Sequence, residues 1–493
     1  LTTFFFYHVP NRAKKILQNV SMFRCEEILH TASSLWGSRP VIVDGKGSTS
    51  YAQLSQRAER VTRLLQERGT QPGSVVGIAL LDGRDFLAAL FGILSAHCVA
   101  IPISPELPQA EVSRIVRDTL VGWIIERSSD GGLELKKVHS VEHSKIAEIF
   151  SDAAVIRHTS GTTGLSKGVV LSHRSVLERT EVSRALLGVQ ASDTILAPLP
   201  LPYHFVASAL SFIRAGATIL DCTSLSPLEM LTLGEQYRAT IAYGSPIQYD
   251  MLSRAVSDAP LSALRRAIST SALLPAATAK LFHARFNCRL TQAYGIIEVG
   301  LPLWNCDESS DPSVLGRCIT PYESAVIDDY GNPVKRGDIG ELILRGPGLY
   351  AGYLCGEGAG KRHAADAWFS TGDLVVEDDQ GNISFKARKK TVINSGGNKI
   401  FPEEVEEVLC SAPEVAAARV SAESHPLLGS LVVAEIVIAP GSSSDIDGWR
   451  SLCHAQLSDF KVPKEFRIVQ ALPMTGSGKI IRHNTDQSLA LTA

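Results

Sequence analysis

The period of hydrophobic and polar positions changes along the chain. Over residues 51–69 (YAQLSQRAERVTRLLQERG) apolar side chains recur at intervals of three and four, and the run stops at a glycine. That pattern predicts an amphipathic helix. Residues 75–81 form a short continuous apolar run and predict a buried strand; 85–96 predict a helix and 99–103 another strand. Repeated strand–helix alternation predicts a wound α/β architecture, and it continues past residue 300. From 322 to 388 the pattern becomes β-rich, with turns at Asp329-Tyr330-Gly331-Asn332, Gly337-Asp338 and Asp379-Gln380-Gly381-Asn382. Beyond about residue 390 a smaller unit follows: helix 402–411, strand 432–438, helix 447–457. The expectation is a large N-terminal domain, 1–388, of wound α/β layers plus a β-rich subdomain. A small α+β C-terminal domain, 389–493, would follow, with the boundary near 388–391. No internal repeat or low-complexity segment interrupts this; 442–444 is a short serine loop.

Length and composition agree with that division. A chain of 493 residues exceeds the size at which one core stops growing. The 45% hydrophobic and 20% charged content is that of a globular protein. Lys+Arg number 48 against 51 Asp+Glu, which gives no electrostatic footprint for nucleic acid or a membrane surface. Nine cysteines, an odd number without a CxxC pair, read as reduced thiols of a cytoplasmic protein, not as a disulfide framework or metal set. Residues 1–8 are apolar but short, and Arg12, Lys14 and Lys15 follow them, the wrong order for a secretory signal. No run of eighteen apolar residues predicts a spanning helix. A soluble, cytoplasmic protein with neither nucleic-acid nor membrane partner is expected.

The strongest chemical signal is Thr159-Ser160-Gly161-Thr162-Thr163-Gly164-Leu165-Ser166-Lys167-Gly168, between apolar residues 153–156 and Val169-Val170-Leu171. Glycines let backbone N–H groups turn inward as an anion nest, hydroxyls add donors, and Lys167 adds positive charge; such a loop suits a polyphosphate. It lacks the GxxxxGK[ST] spacing of a Walker loop. The segment resembles the phosphate loop of the adenylate-forming superfamily: acyl- and aryl-CoA ligases, luciferases and peptide-synthetase adenylation domains. Ser166 stands where that family usually has proline.

Four further segments resemble the family's signatures, in the family's order. Gln292-Ala293-Tyr294-Gly295-Ile296-Ile297-Glu298 resembles the segment whose tyrosine packs on adenine and whose glutamate holds Mg²⁺. Ile297 departs from the usual threonine, and the lost hydroxyl is worth about 1–3 kcal/mol if nothing replaces it. Trp368-Phe369-Ser370-Thr371-Gly372-Asp373-Leu374 resembles the segment whose aspartate, here Asp373, accepts the ribose hydroxyls. Arg388, fifteen residues on, resembles the arginine that also meets the ribose, a spacing that fits two strands joined by the 379–382 turn. Residues 386–406 (KARKKTVINSGGNKIFPEEVE) place Lys390 at the family's interdomain hinge and Gly396-Gly397 on its pantetheine path. Ala387, Thr391 and Asn394 depart there from the usual glycine, acid and lysine. Leu472-Pro473-Met474-Thr475-Gly476-Ser477-Gly478-Lys479-Ile480 resembles the loop whose lysine bridges carboxylate and α-phosphate; a mobile ammonium suits that task. Taken singly, these would read as a buried strand end, a hairpin aspartate, a solvated basic face and a tail lysine. Together the resemblance covers about 30–485. Two weaker patterns are set aside: 356–360 (GEGAG) follows a β-rich region without a helix and reads as a surface loop. Ser458-Asp459-Phe460-Lys461 is an SxxK without SDN or KTG partners and reads as a helix end.

The resemblance implies ATP-dependent activation of a carboxylic acid to acyl-AMP with Mg²⁺, then transfer to a thiol, most commonly that of coenzyme A. Lys479, Glu298 and Lys167 would be catalytic; Thr159, Ser160, Gly161, Thr162, Thr163, Gly164, Tyr294, Gly295, Asp373 and Arg388 would bind ATP and AMP. Two other readings stay open: a ligase loading a separate acyl-carrier protein, and a nucleotide-binding paralogue without turnover. The chain ends fourteen residues after Lys479, so the thiol is expected from another molecule. Pro200-Leu201-Pro202-Tyr203-His204-Phe205 resembles the aromatic-histidine element of acyl- and aryl-CoA ligases. Tyr203, His204, Ser271, Ala272, Ala293 and Gly300 would line the acyl pocket. No carboxylate lies between Asp193 and Asp221 to pair an α-ammonium, and an unpaired buried charge is strongly unfavourable. Ala293, where the family often has glycine, would narrow a long channel. A compact aryl or short-to-medium acyl acid is expected, neither an α-amino acid nor a long-chain fatty acid.

Overall fold

The computed structural model describes residues 24–138, 150–159, 167–305, 314–355, 359–364, 366–395, 398–425, 429–474 and 480. The chain divides into two compact units, Leu1–Glu323 with Leu344–Phe369, and Ser324–Ile343 with Ser370–Ala493.

The first unit is built on two sheets. One has nine strands in the order Arg317–Cys318, Gly300–Asn305, Leu290–Ile296, Arg266–Ser269, Ile241–Gly244, Thr194–Ala197, Thr218–Asp221, Pro40–Asp44, Gly47–Ser50. The six from Leu290–Ile296 to Pro40–Asp44 run parallel, and antiparallel strands close both edges. The other has seven strands in the order Gly352–Tyr353, Lys167–Ser172, Ala153–Thr159, Val99–Pro102, Val75–Ile78, Val121–Arg127, Leu133–Lys137. Its central strands are buried on both faces, which is why 75–78 reads as an unbroken apolar run instead of alternating. The main core joins Ile42, Ile195, Ile219, Ile241 and Ile268 of the nine-stranded sheet to Val76, Ile78, Ala100, Val155 and Val169 of the other.

Helix Gly83–Ser95 belongs to the same core and is buried over nearly its whole length. It packs against helix Tyr51–Glu67, whose own apolar stripe is Tyr51, Leu54, Ala58, Val61 and Leu65. That second helix starts at a capping box, Ser50 with Gln53, and it ends before Gly69 at φ +75°, the glycine at which its sequence pattern stops. Among the described residues, no helix is long and apolar enough to cross a membrane.

The second unit holds a four-stranded sheet, Glu323–Ile327, Ile339–Arg345, Phe369–Glu377, Ile383–Arg388. Two of its turns use one device. Asp328 accepts from the backbone N–H groups of Tyr330 and Asn332, and Asp378 accepts from those of Gln380 and Asn382. Each turn carries a glycine at positive φ, Gly331 and Gly381. Beyond them lie the pair Ile393–Ser395 and Asn398–Ile400, helix Pro402–Cys410, helix Ile446–Gln456 and a sheet of Val415–His425, Gly429–Ile438 and Glu465–Ile468. A separate core, with Trp449, Ile400, Leu409, Val420 and Ile436, holds these together. The sequence pattern put the β-rich segment with the N-terminal domain and the break at 388/389. By compactness 324–343 and 370–388 group with the C-terminal residues, and 344–369 group with the first unit. Lys389 contributes to this, joining Asp329 and Glu341 at 2.9 Å each. Ser458-Asp459-Phe460-Lys461 ends in the 3-10 turn Asp459–Lys461, and Lys461 is paired with Glu404 at 2.7 Å.

Candidate active site

Strands Ala153–Thr159 and Lys167–Ser172 pair antiparallel with Thr159 opposite Lys167. Ser160, Gly161, Thr162, Thr163 and Gly164, which join them in sequence, lie outside the described residues. Lys167 places its Nζ 4.5 Å from the centroid of the Tyr353 ring. Tyr353 in turn donates from its hydroxyl to Glu298 Oε1 at 2.8 Å. One tyrosine therefore brings together the two catalytic residues expected in this unit. Burial and the Glu298 charge push the Tyr353 pKa well above the usual phenol, so it stays a protonated donor. Tyr350 packs on Tyr353 at 4.8 Å between centroids, and its backbone N–H donates to the Glu298 carbonyl at 2.8 Å.

The turn carrying Glu298 is held from beneath. Arg179, 1% exposed, donates to the Ile297 carbonyl at 2.8 Å, the Glu298 carbonyl at 3.4 Å and the Gly348 carbonyl at 3.0 Å. Burial pulls its pKa down to about 10. Ile297 packs against the main core, so an apolar side chain fills the place where the resemblance leads one to expect a hydroxyl.

Tyr294 and Gly295 lie at the end of strand Leu290–Ile296, half-buried and exposed respectively. A Cβ at Gly295 would come 2.8 Å from the Gly300 carbonyl, and Gly300 itself has φ +115°. Both glycines are required by this tight return. Ala293 is 2% exposed and part of the main core. Gln292 ties this strand to the 271–274 stretch by accepting from Leu274 N–H at 2.6 Å. Ser271, in that stretch, adopts φ +75° beside exposed Ala272. Tyr203 and His204 lie half-buried on the short helix Leu201–His204. The Pro202 and Tyr203 carbonyls of that helix accept from the Arg157 guanidinium, the latter at 2.9 Å.

In the second unit, Asp373 and Arg388 face each other across the hairpin Phe369–Glu377/Ile383–Arg388. Arg388 Nε lies 2.7 Å from Asp373 Oδ1; Asp373 is fully buried and Arg388 one-third exposed. Close by, Glu341 accepts from Ser370 Oγ at 2.6 Å, Gly372 N–H at 3.2 Å and Lys389 Nζ at 2.9 Å. Burial works to raise the Glu341 pKa, but these bonds outweigh it and hold the carboxyl below its ordinary range. Lys390 is exposed in the turn Lys389–Thr391. Gly396, Gly397 and Lys479 lie outside the described residues.

Tyr353, Arg179, Arg157 and Glu341 are absent from the sequence expectation. The only local hint was the pair Tyr350 and Tyr353 after the Gly346-Pro347-Gly348 turn.

The family model "AMP-binding enzyme" matches residues 29–354, and "AMP-binding enzyme C-terminal domain" matches 404–479. A feruloyl-CoA synthase of Amycolatopsis sp is 27% identical over 462 residues, covering 89% of this chain and 93% of the relative. The indoleacetate–CoA ligase of Aromatoleum aromaticum is 28% identical over 490 residues, covering 90% and 93%. In three dimensions the anthranilate CoA ligase AuaEII, solved with anthranoyl-AMP, superposes with a TM-score of 0.81 at 22% identity. That match covers 94% of this chain and 97% of that one, and it supports the fold. With one model spanning both sheets of the first unit and the other matching the C-terminal residues, the chain belongs to the AMP-binding enzyme family.

Proposed function

We propose that the protein activates a carboxylic acid with ATP to an acyl-adenylate and transfers the acyl group to the thiol of coenzyme A. The observation that carries this is the gathering of Lys167 and Glu298 around Tyr353. A carboxylate is a poor electrophile because its leaving group would be oxide. Its oxygen attacks the α-phosphorus of ATP, the bond to the bridging oxygen breaks, and pyrophosphate leaves. A thiolate then attacks the acyl carbon of the mixed anhydride, and AMP departs. The protein's part is positioning and charge stabilisation.

Lys167, with Thr159, Ser160, Gly161, Thr162, Thr163 and Gly164, steers the β- and γ-phosphates. Tyr294 and Gly295 meet adenine, and Asp373 and Arg388 meet the ribose. Lys479 offsets charge at the α-phosphate, Lys390 is the hinge between half-reactions, and Gly396 and Gly397 border the pantetheine path. Glu298 fits a Mg²⁺ ligand: it is a single carboxylate with one oxygen held by Tyr353, and Mg²⁺ takes its other ligands from phosphate and water. When bound, Mg²⁺ neutralises phosphate charge in the first half-reaction.

Coenzyme A is favoured over a carrier protein because relatives matched along nearly their whole length are named as CoA ligases and synthases. Several of these act by name on aromatic acids, which supports a compact acid. The test is release of AMP and pyrophosphate over a panel of benzoate-type, C6–C10, C16 and α-amino acids, with and without coenzyme A. A compact acid should be converted to its CoA thioester. Preference for C16 or an α-amino acid, or carrier loading without any CoA thioester, would overturn the respective part.

A further inference from the structure

Among the described residues three arginines are at least nine-tenths buried: Arg157, Arg179 and Arg419. Two of them have acids at hand. Arg419 is ion-paired with Glu435, and Arg179 lies in the field of Glu298 and Glu178. Arg157 differs. Its polar partners are the Pro202 and Tyr203 carbonyls, and its guanidinium carbon lies 5.5 Å from the centroid of the Phe205 ring. No carboxylate pairs with it among the described residues. A guanidinium has five N–H donors in a planar fork, and the acceptors seen here, the Pro202 and Tyr203 carbonyls, are both neutral. A buried charge without a counter-charge is costly, and the arginine fork matches a carboxylate in shape.

The position of this charge is informative. Arg157 stands two residues before Thr159 on strand Ala153–Thr159. By the period of two it shares a face with Val155, and Val155, Leu201 and Phe205 belong to the main core. The guanidinium therefore lies under helix Leu201–His204, the element expected to line the acyl pocket, and reaches it from the strand that leads to the phosphate loop. A plain structural arginine would be well served by a neighbouring Asp or Glu, and none lies between Asp193 and Asp221 on this stretch of chain.

We propose that Arg157 receives a second anionic group of the substrate, so that the acid activated by this enzyme is a compact acid bearing a second carboxylate. The inference rests on the adenylation reading above and narrows its substrate class. The reacting carboxylate is turned toward the α-phosphate, and the distal one completes the Arg157 fork. The same charge disfavours an α-ammonium in this pocket. Arg157 acts on binding and selectivity and takes no part in proton or phosphoryl transfer.

The experiment compares matched acids that differ only in the distal group: adipate with hexanoate, and isophthalate with benzoate, each followed by pyrophosphate release. The wild-type enzyme should favour the diacid of a pair by about 10- to 100-fold in kcat/KM, the range of a charge-assisted hydrogen bond. Arg157→Met should collapse that ratio, mainly through the KM of the diacid. Arg157→Lys, which keeps the charge, should retain part of it. A variant that lowers both members of a pair equally would make Arg157 a structural clamp and overturn the proposal. So would a wild-type preference for the monoacid, or for an uncharged keto or hydroxy acid over its diacid; these need no variant to fold. Turnover of monoacids without any diacid preference defeats this inference and leaves the adenylation reading standing. No pyrophosphate release with any acid defeats both.

Discussion

Replacing Tyr353 with phenylalanine removes one atom from the centre of the arrangement and keeps the ring. The hydroxyl lost is the 2.8 Å donor to Glu298 Oε1. The ring over which Lys167 sits at 4.5 Å, and against which Tyr350 packs, remains. A hydrogen bond to a charged group is worth about 1.5–3 kcal/mol. If that orients Glu298 for adenylation, kcat/KM for pyrophosphate release should fall by roughly 10- to 150-fold, at about 1.4 kcal/mol per factor of ten. Losing the ring as well, in Tyr353→Leu, removes the cation–π contact with Lys167, worth a further ~0.5–2 kcal/mol. Stability should hardly move in the phenylalanine variant, since no large group is deleted from the core, and thermal unfolding checks this. The decisive assay is a double-mutant cycle with Glu298→Gln, in which residues acting through one contact give non-additive losses. A Tyr353→Phe enzyme within twofold of wild type, or strict additivity with Glu298→Gln, would refute the reasoning. Because burial and the neighbouring carboxylate raise the Tyr353 pKa, the effect should be constant across the neutral pH range.

Other predictions concern stability and the half-reactions. His173 is 2% exposed, accepts from Cys25 N–H through Nδ1, and is held neutral by burial to a pKa of about 4. The unfolded histidine takes a proton below its ordinary pKa near 6.5, so this stabilisation is complete above that value and is lost as pH falls toward 4. It should amount to about 3 kcal/mol in urea titrations at pH 7 and pH 4, and His173→Phe should flatten the slope. Arg388→Ala removes the arginine from a fully buried Asp373 carboxylate and should destabilise the protein by about 3 kcal/mol while raising the KM for ATP; an unchanged melting curve would contradict the first part. Lys479→Ala should depress adenylate formation by orders of magnitude and largely spare thioester formation from pre-made acyl-AMP. Equal loss in both half-reactions would count against a lysine dedicated to adenylation.

Legibility differed from residue to residue for identifiable reasons. Asp373 and Arg388 could be paired in advance because a hairpin turn stood between them at the right distance, and strand register is a local property. Lys167 and Glu298 came from resemblance to family signatures, and nothing in their own segments says that they meet at Tyr353. Arg157 sits at the end of an apolar run and Arg179 in a helix of mixed composition, where an arginine ordinarily reads as a surface charge. Their burial depends on carbonyls 45 and more than 100 residues away. Glu341 stands in a β-rich stretch with no local mark, and its partners Ser370 and Lys389 are 29 and 48 residues away in the chain.

Resemblance to family signatures supplied the candidate site segments, and the sequence pattern itself determined the helix over 51–67, the buried strands and the twin aspartate–glycine turns. Each of these depends on periodicity or on hydrogen bonds spanning a few residues. Only the tertiary structure decided the order of strands in the two sheets, the grouping of 324–343 and 370–388 with the C-terminal residues, the tyrosine shared by Lys167 and Glu298, and the absence, among the described residues, of a carboxylate partner for Arg157. Those outcomes follow from contacts between residues far apart in the chain. The free energy of a buried charge is set by what surrounds it in space, which no local pattern encodes.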